Sequence, residues 1–220
     1  MKKTVINNII CVLLFTGIIA FAAYVIYAML GNFLWEEYNP ITTDISSLSA
    51  VGAPNQEILR PFLTIYEVCF LTFTITYTFW AFYSNKKKSI KAGAVLLLLM
   101  SLISAFGYGL FPLEGDKTQM TFQNLMHILV TAAVVFLSIA GLYFIAAGNF
   151  KDAKNKKFGK LLLVLVTIFT IFGATNPIVM GNNLPVLGLT ERSAIYSLHF
   201  IMGIIGIYES ITLLRKKESR

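Results

Sequence analysis

Glu67, His127 and His199 are ionisable residues placed inside long apolar stretches. A charge in hydrocarbon costs several kcal/mol unless it is paired or hydrated, so each is a functional candidate by default. Two imidazoles and a carboxylate can hold zinc and leave a position for water. Such a water becomes a nucleophile near neutral pH. Asp116 or Asp44 would supply a further ligand or an orienting acceptor. Without a metal, the same groups could hold the polar head of a ligand or relay protons. There is no HExxH and no paired-cysteine spacing, so any metal site must be assembled from distant segments.

The elements that must position these groups are membrane-spanning helices. Hydrophobic residues make up 56% of the 220-residue chain and charged residues 13%. Soluble domains have about 45–50% and about 25%. This composition excludes a water-soluble enzyme, a nucleic-acid binder and a disordered chain. A helix crossing the roughly 30 Å hydrocarbon core needs about 20 mostly apolar residues. Six stretches qualify, at residues 5–30, 61–83, 92–111, 125–147, 161–179 and 193–214. Lys2, Lys3 and Ala20-Phe21-Ala22 resemble parts of a signal peptide, but the first apolar run continues to Leu30, which is long for one. The expected fold is therefore all-α: one polytopic membrane domain, a bundle of six transmembrane helices.

Fifteen of the 18 Lys and Arg residues lie at the chain ends, between spans two and three, or between spans four and five. The positive-inside rule then puts both termini in the cytoplasm of a cell-membrane protein. Arg60, Lys117 and Arg192 break the bias. Most acids, among them Asp44, Glu114, Asp116 and Glu191, fall in the outer loops. The net charge of +7 is mostly a topology signal, since it is dispersed over short segments with no nucleic-acid recognition motif. Membrane lipids are the expected partners, and self-association into a homo-oligomer is left open. Cys11 and Cys69 lie at different depths, which argues against a disulfide.

At 1.5 Å per residue, Glu67 and His199 lie roughly 9 Å below the starts of their helices, and His127 is at similar depth if span four begins near Thr121. All three belong to the inbound spans. The expectation is three helical hairpins, each presenting one titratable group to a common outer pocket. Helical spacing aligns Arg60, Thr64, Glu67, Leu71, Thr74 and Thr78 on span two. It aligns Ser101, Ser104 and Tyr108 on span three, and Tyr196, His199, Gly203, Gly206 and Ser210 on span six. Glu209, near the inner end of span six, is read as pairing with a basic residue. The ligand-binding candidates are Glu67, His127, His199, Tyr108, Arg60, Ser46, Ser49 and Asp44, with Asp116 as a further catalytic or metal candidate.

The first outer loop, residues 31–60, is long enough to be structured. It contains Trp35, Tyr38, Pro40 and the run Ile45-Ser46-Ser47-Leu48-Ser49-Ala50-Val51-Gly52-Ala53-Pro54. The last outer loop, residues 176–192, also reads as a folded cap. Thr190 or Ser193 is placed to cap span six.

The Ile45–Pro54 run resembles the bacterial six-span integral membrane proteins grouped as domain of unknown function family 998. That family carries an I-S-x-L-G-A-type run ending in G-A-P in its first outer loop, and Ser49 stands where a Gly is expected. A Phe-Pro-plus-acid segment after span three, followed by a His, is also shared: Phe111-Pro112, Glu114 and Asp116, then His127. More distantly the pattern is similar to the eukaryotic Frag1/DRAM/Sfk1 membrane proteins, associated with lipid and membrane homeostasis. The resemblance implies six spans and this topology, and brings no reaction.

Three functions follow as expectations. The first is binding of a lipid or small amphiphile in an outward-facing pocket. The second is a metal-assisted lipid hydrolase or transferase using His127, His199 and Glu67 or Asp116. The third is a proton-linked carrier, for which Asn176-Pro177 is the only candidate helix break.

Overall fold

In the computed structural model, residues 2–115, 117 and 119–218 are described. The chain forms α1 (Lys2–Leu14), α2 (Thr16–Leu34), α3 (Gln56–Tyr83), α4 (Lys88–Leu110), α5 (Phe122–Phe150), α6 (Lys156–Gly181) and α7 (Leu187–Glu218). A 3-10 helix, Ile45–Ser49, sits in the loop between α2 and α3. The first two helices together make one span, Thr4–Leu34, so six helical spans are long and apolar enough to cross a membrane. Among the described residues there is no strand, only an isolated bridge between Val51 and Glu114. The all-α, polytopic reading holds.

Several helix ends are set by asparagine. Asn55, Asn85 and Asn183 all have positive φ, at 62°, 46° and 51°. Asparagine tolerates this left-handed conformation, which ends helices. After α3, the Lys86 amide reaches back to the Ala81 carbonyl. After α6, the Leu184 amide does the same to Val179. Both are Schellman closures. Asn55 also donates from its side chain to the Leu34 carbonyl at 2.9 Å, tying the start of α3 to the end of α2. As a result α3 starts before Pro61, which lies inside the helix.

Two expectations about helix continuity are corrected. The last loop is short, because α6 runs through Pro177 to Gly181 and α7 begins at Leu187. Neither Thr190 nor Ser193 caps α7. The Thr190 hydroxyl bonds Asn176 Oδ1 at 2.7 Å and the Ser193 hydroxyl returns to the Leu189 carbonyl. The break falls in the first span instead, at Phe15, where the Thr16 hydroxyl donates to the Leu13 carbonyl at 2.6 Å.

Each helix packs on its chain neighbours, and α7 returns to α1 and α2, closing the ring. The apolar window of α7 is 56% buried, against 22–33% for the other spans, so α7 is the hub. Its small residues make this fit. Gly203 faces Ile18, and Gly206 faces Leu14 and Phe73. The Ser210 hydroxyl bonds the Cys11 carbonyl at 3.1 Å. The helix pair α4–α5 is close because Gly93 and Gly141 meet back to back; a Cβ at Gly93 would lie 2.5 Å from the Gly141 oxygen. Cys11 and Cys69 are both free thiols. One end of the bundle carries the lysine-rich turns. There Glu209, fully buried, pairs with Lys86 at 3.3 Å, and Lys86 also lies over the Trp80 ring. The opposite end carries the cap.

Candidate functional site

The cap is organised around three buried charges. Asp44 precedes the 3-10 helix and caps it, accepting from the Ser47 amide and hydroxyl and from the Ser46 hydroxyl. This is the ordinary preference of aspartate for a helix start. Ile45 and Leu48 then point inward, and Leu48 packs on Gly31 of α2. Glu191 stands on the second turn of α7, so its position is fixed by a helix rather than a loop. Its Oε2 accepts the Ile45 amide at 2.6 Å.

Lys117 comes from the α4–α5 connection and is only 7% exposed. Its ammonium donates to Glu191 Oε1 at 2.8 Å and to the Ser46 hydroxyl at 2.9 Å, with Asp44 Oδ2 at 3.5 Å. Asn124 of α5 clamps that connection. It takes the Glu114 amide at 2.8 Å and donates to the Glu114 and Gln119 carbonyls. The Val51 amide bonds the Leu113 carbonyl at 2.8 Å, so both connections are stitched together. Arg192 adds a second cation, donating to the Pro40 and Thr43 carbonyls and to the Tyr38 hydroxyl.

The electrostatics follow from this arrangement. Burial raises the Asp44 carboxyl, but the Lys117 ammonium and the serine donors outweigh it and hold the group below the usual aspartate value. Burial disfavours the Lys117 charge, yet Glu191 and Asp44 overcome that and hold the ammonium above its ordinary range. Tyr38 is pushed up by burial, with Arg192 opposing.

Beside this cluster is a cleft of about 380 Å³. The cap contributes Thr42, Thr43, Asp44 and Ser47, and Lys117 lies with them. The helix side contributes Val179, Met180, Leu184 and Leu187, with Asn183 at the turn. One element supplies polar groups and the other mostly apolar ones.

The two histidines do not meet in this cleft. His199 is 3% exposed. It is stacked on Tyr24 with 5.1 Å between ring centres, and flanked by Tyr66 and Phe70. Its Nδ1 bonds the Ile195 carbonyl at 2.7 Å, which places the proton there, so Nε2 accepts the Tyr66 hydroxyl at 3.0 Å. Both nitrogens thus have protein partners. His127 bonds the Phe111 carbonyl through Nδ1 at 2.9 Å and packs beside the Tyr108 ring. It lies within electrostatic reach of Lys117, Glu191 and Asp44. The Tyr108 hydroxyl donates to Thr131 at 3.2 Å.

Glu67 is corrected outright. It lies on the exposed face of α3 with Arg60, while Tyr66, Phe70, Phe73 and Tyr77 fill the buried face. The six aligned residues of span two are wider than one buried stripe, and only Thr74 and its neighbours reach the core. Ser46 belongs to the charged cluster; Ser49 is exposed, donates to the Ser46 carbonyl and also hydrogen-bonds the Tyr27 side chain. Asp116 lies outside the described residues. Among the described residues no three of His, Cys, Asp and Glu come together as a metal site. The zinc expectation on His127 and His199 therefore finds no assembled donor set.

Lys117 and Glu191 were missed as site residues. The charge bias held the signal for them. Of the three basic residues that violate it, Lys117 and Arg192 are fixed in the cap.

No curated protein and no solved structure matches the chain. A family model described as "Protein of unknown function (DUF998)" matches residues 18–208, from the middle of the first span to within the last and including the whole cap, and the chain belongs to that family.

Proposed function

We propose that this protein is a cell-membrane protein whose lysine-rich end faces the cytoplasm and whose cap end holds the polar head of a membrane amphiphile. The observation that carries this is the cleft, where polar cap residues face the apolar end of α6 and the start of α7. Such a lining matches a molecule with one polar and one apolar end. The cap beneath it is fixed by buried ion pairs and hydrogen bonds that join two connections to α7, which pre-organises the polar wall. The orientation rests on the lysine distribution.

Native mass spectrometry of the protein in mild detergent tests the binding. Wild type is expected to retain an amphiphile, and Leu184→Trp, which fills the cleft, should lower its occupancy at least tenfold. An empty wild-type spectrum, or unchanged retention in Leu184→Trp, would overturn the proposal.

A further inference from the structure

The lysine-rich end of the bundle holds polar groups that take no part in the cap. Tyr77 and Trp80 are one turn apart on α3, with ring centres 5.6 Å apart. Each is only 1% exposed. The Tyr77 hydroxyl and the Trp80 indole N–H nonetheless have no hydrogen-bond partner among the described residues. Native interiors rarely leave a sealed donor without an acceptor, because its desolvation is then uncompensated. Here two such donors share one helix face.

Both stand near Glu209 of α7, a buried carboxylate. The Lys86 ammonium links the groups: it lies 4.0 Å from the centre of the Trp80 ring and 3.3 Å from Glu209 Oε2. Tyr77 is within electrostatic reach of the same carboxylate. A carboxylate can accept about four hydrogen bonds. A buried ion pair is well held only when hydrogen bonds beyond the pair itself serve its remaining lone pairs. The phenol, the indole and the carboxylate are therefore complementary in kind, yet neither donor bonds Glu209 directly.

We infer that a buried water site joins Tyr77, Trp80 and Glu209, with water accepting from the phenol and the indole and donating to the carboxylate. The chemistry of the set refuses other small occupants. A metal cation needs lone pairs, whereas the indole N–H offers none and Lys86 already supplies the positive charge. An anion meets the negative charge of Glu209. Water both accepts and donates, and a buried water typically makes about three hydrogen bonds to groups that the protein leaves unserved. The site goes beyond the amphiphile reading, which concerns the opposite end of the bundle. It ties α3 to α7, the most buried span, through hydrogen bonds that no side chain makes directly.

Two measurements on the full chain in detergent test it. Trp35→Phe leaves Trp80 as the sole tryptophan, since the chain has two. The ultraviolet resonance Raman spectrum of that variant should show a hydrogen-bonded indole N–H, for which the protein itself offers no acceptor. Tyr77→Phe removes the hydroxyl and keeps the ring. If the hydroxyl serves water, its loss is destabilising, and the unfolding equilibrium constant in denaturant should rise about fivefold. In a dry site the same change would relieve a buried polar group and stabilise the protein. A free indole N–H in the spectrum, or a Tyr77→Phe variant as stable as wild type or more so, would overturn the water site.

Discussion

At the scale of single residues, the chain separates charges that hold structure from charges that do not. Lys117 compensates two buried carboxylates, and removing one member of a buried ion cluster costs about 3–5 kcal/mol. Lys117→Met should lower the thermal midpoint in detergent sharply. The triple variant Lys117→Met, Asp44→Asn, Glu191→Gln should recover much of that loss, because no uncompensated charge remains. Glu67→Gln should move the same midpoint by no more than about 0.5 kcal/mol equivalent, as an exposed side chain does. The pH dependence has a definite sign. The folded Asp44 is held below its ordinary 3.8, so its contribution is complete above that value and is lost as pH falls through the lower folded one. Lys117 is held above its ordinary 10.5, so its contribution is complete below that value and is lost only as pH rises through the higher folded one. Melting curves should therefore show a cap that is insensitive between about pH 5 and 9 and weakens below about pH 4. Asp44→Asn should flatten the acid limb.

At the scale of elements, close approach decides what each helix can tolerate. The α4–α5 contact has no room for a side chain at Gly93, where a Cβ would be 2.5 Å from a backbone oxygen that cannot move aside. Gly93→Val should cost about 1–3 kcal/mol or more by overpacking. Gly109 of α4 has nothing within 4 Å of an added Cβ, so Gly109→Ala should be neutral or slightly stabilising. Denaturant melts of the two variants, side by side, check the pair. Helix boundaries were legible where lysine turns and asparagines end apolar runs. They were misread at α7, since Thr190 and Ser193 look like caps in sequence. Their hydroxyls go to Asn176 and to the Leu189 carbonyl instead, while the Leu189 amide is satisfied by the Ile41 carbonyl of the cap. A helix start satisfied by a distant loop leaves no local mark.

At the scale of the whole molecule, the topology can be read by labelling. The proposed orientation predicts that Asn183→Cys reacts with a membrane-impermeant maleimide on intact cells, and that Lys154→Cys reacts only after permeabilisation. The reverse pattern would invert the protein. The closed order of helices, in which α7 is the most buried, also explains why the titratable groups of spans two, four and six do not converge. On α7 the buried face takes His199 into an aromatic enclosure of α2 and α3, whereas Glu191, two turns earlier, reaches the cap.

The amino-acid sequence by itself determined the class of fold, the number of spans and the existence of a structured first loop. These depend on long-range composition: apolar runs of fixed length, basic turns between them, and a small-residue segment rich in hydroxyls. The tertiary structure decided which polar residues share a site. Helical periodicity narrows a side chain to a face, but it does not say whether that face looks out from the bundle, as for Glu67, or meets a neighbour, as for His199. Asp44 and Lys117 lie on two different connections and Glu191 on α7, far apart in the chain, so only the packing of the bundle brings their charges within reach.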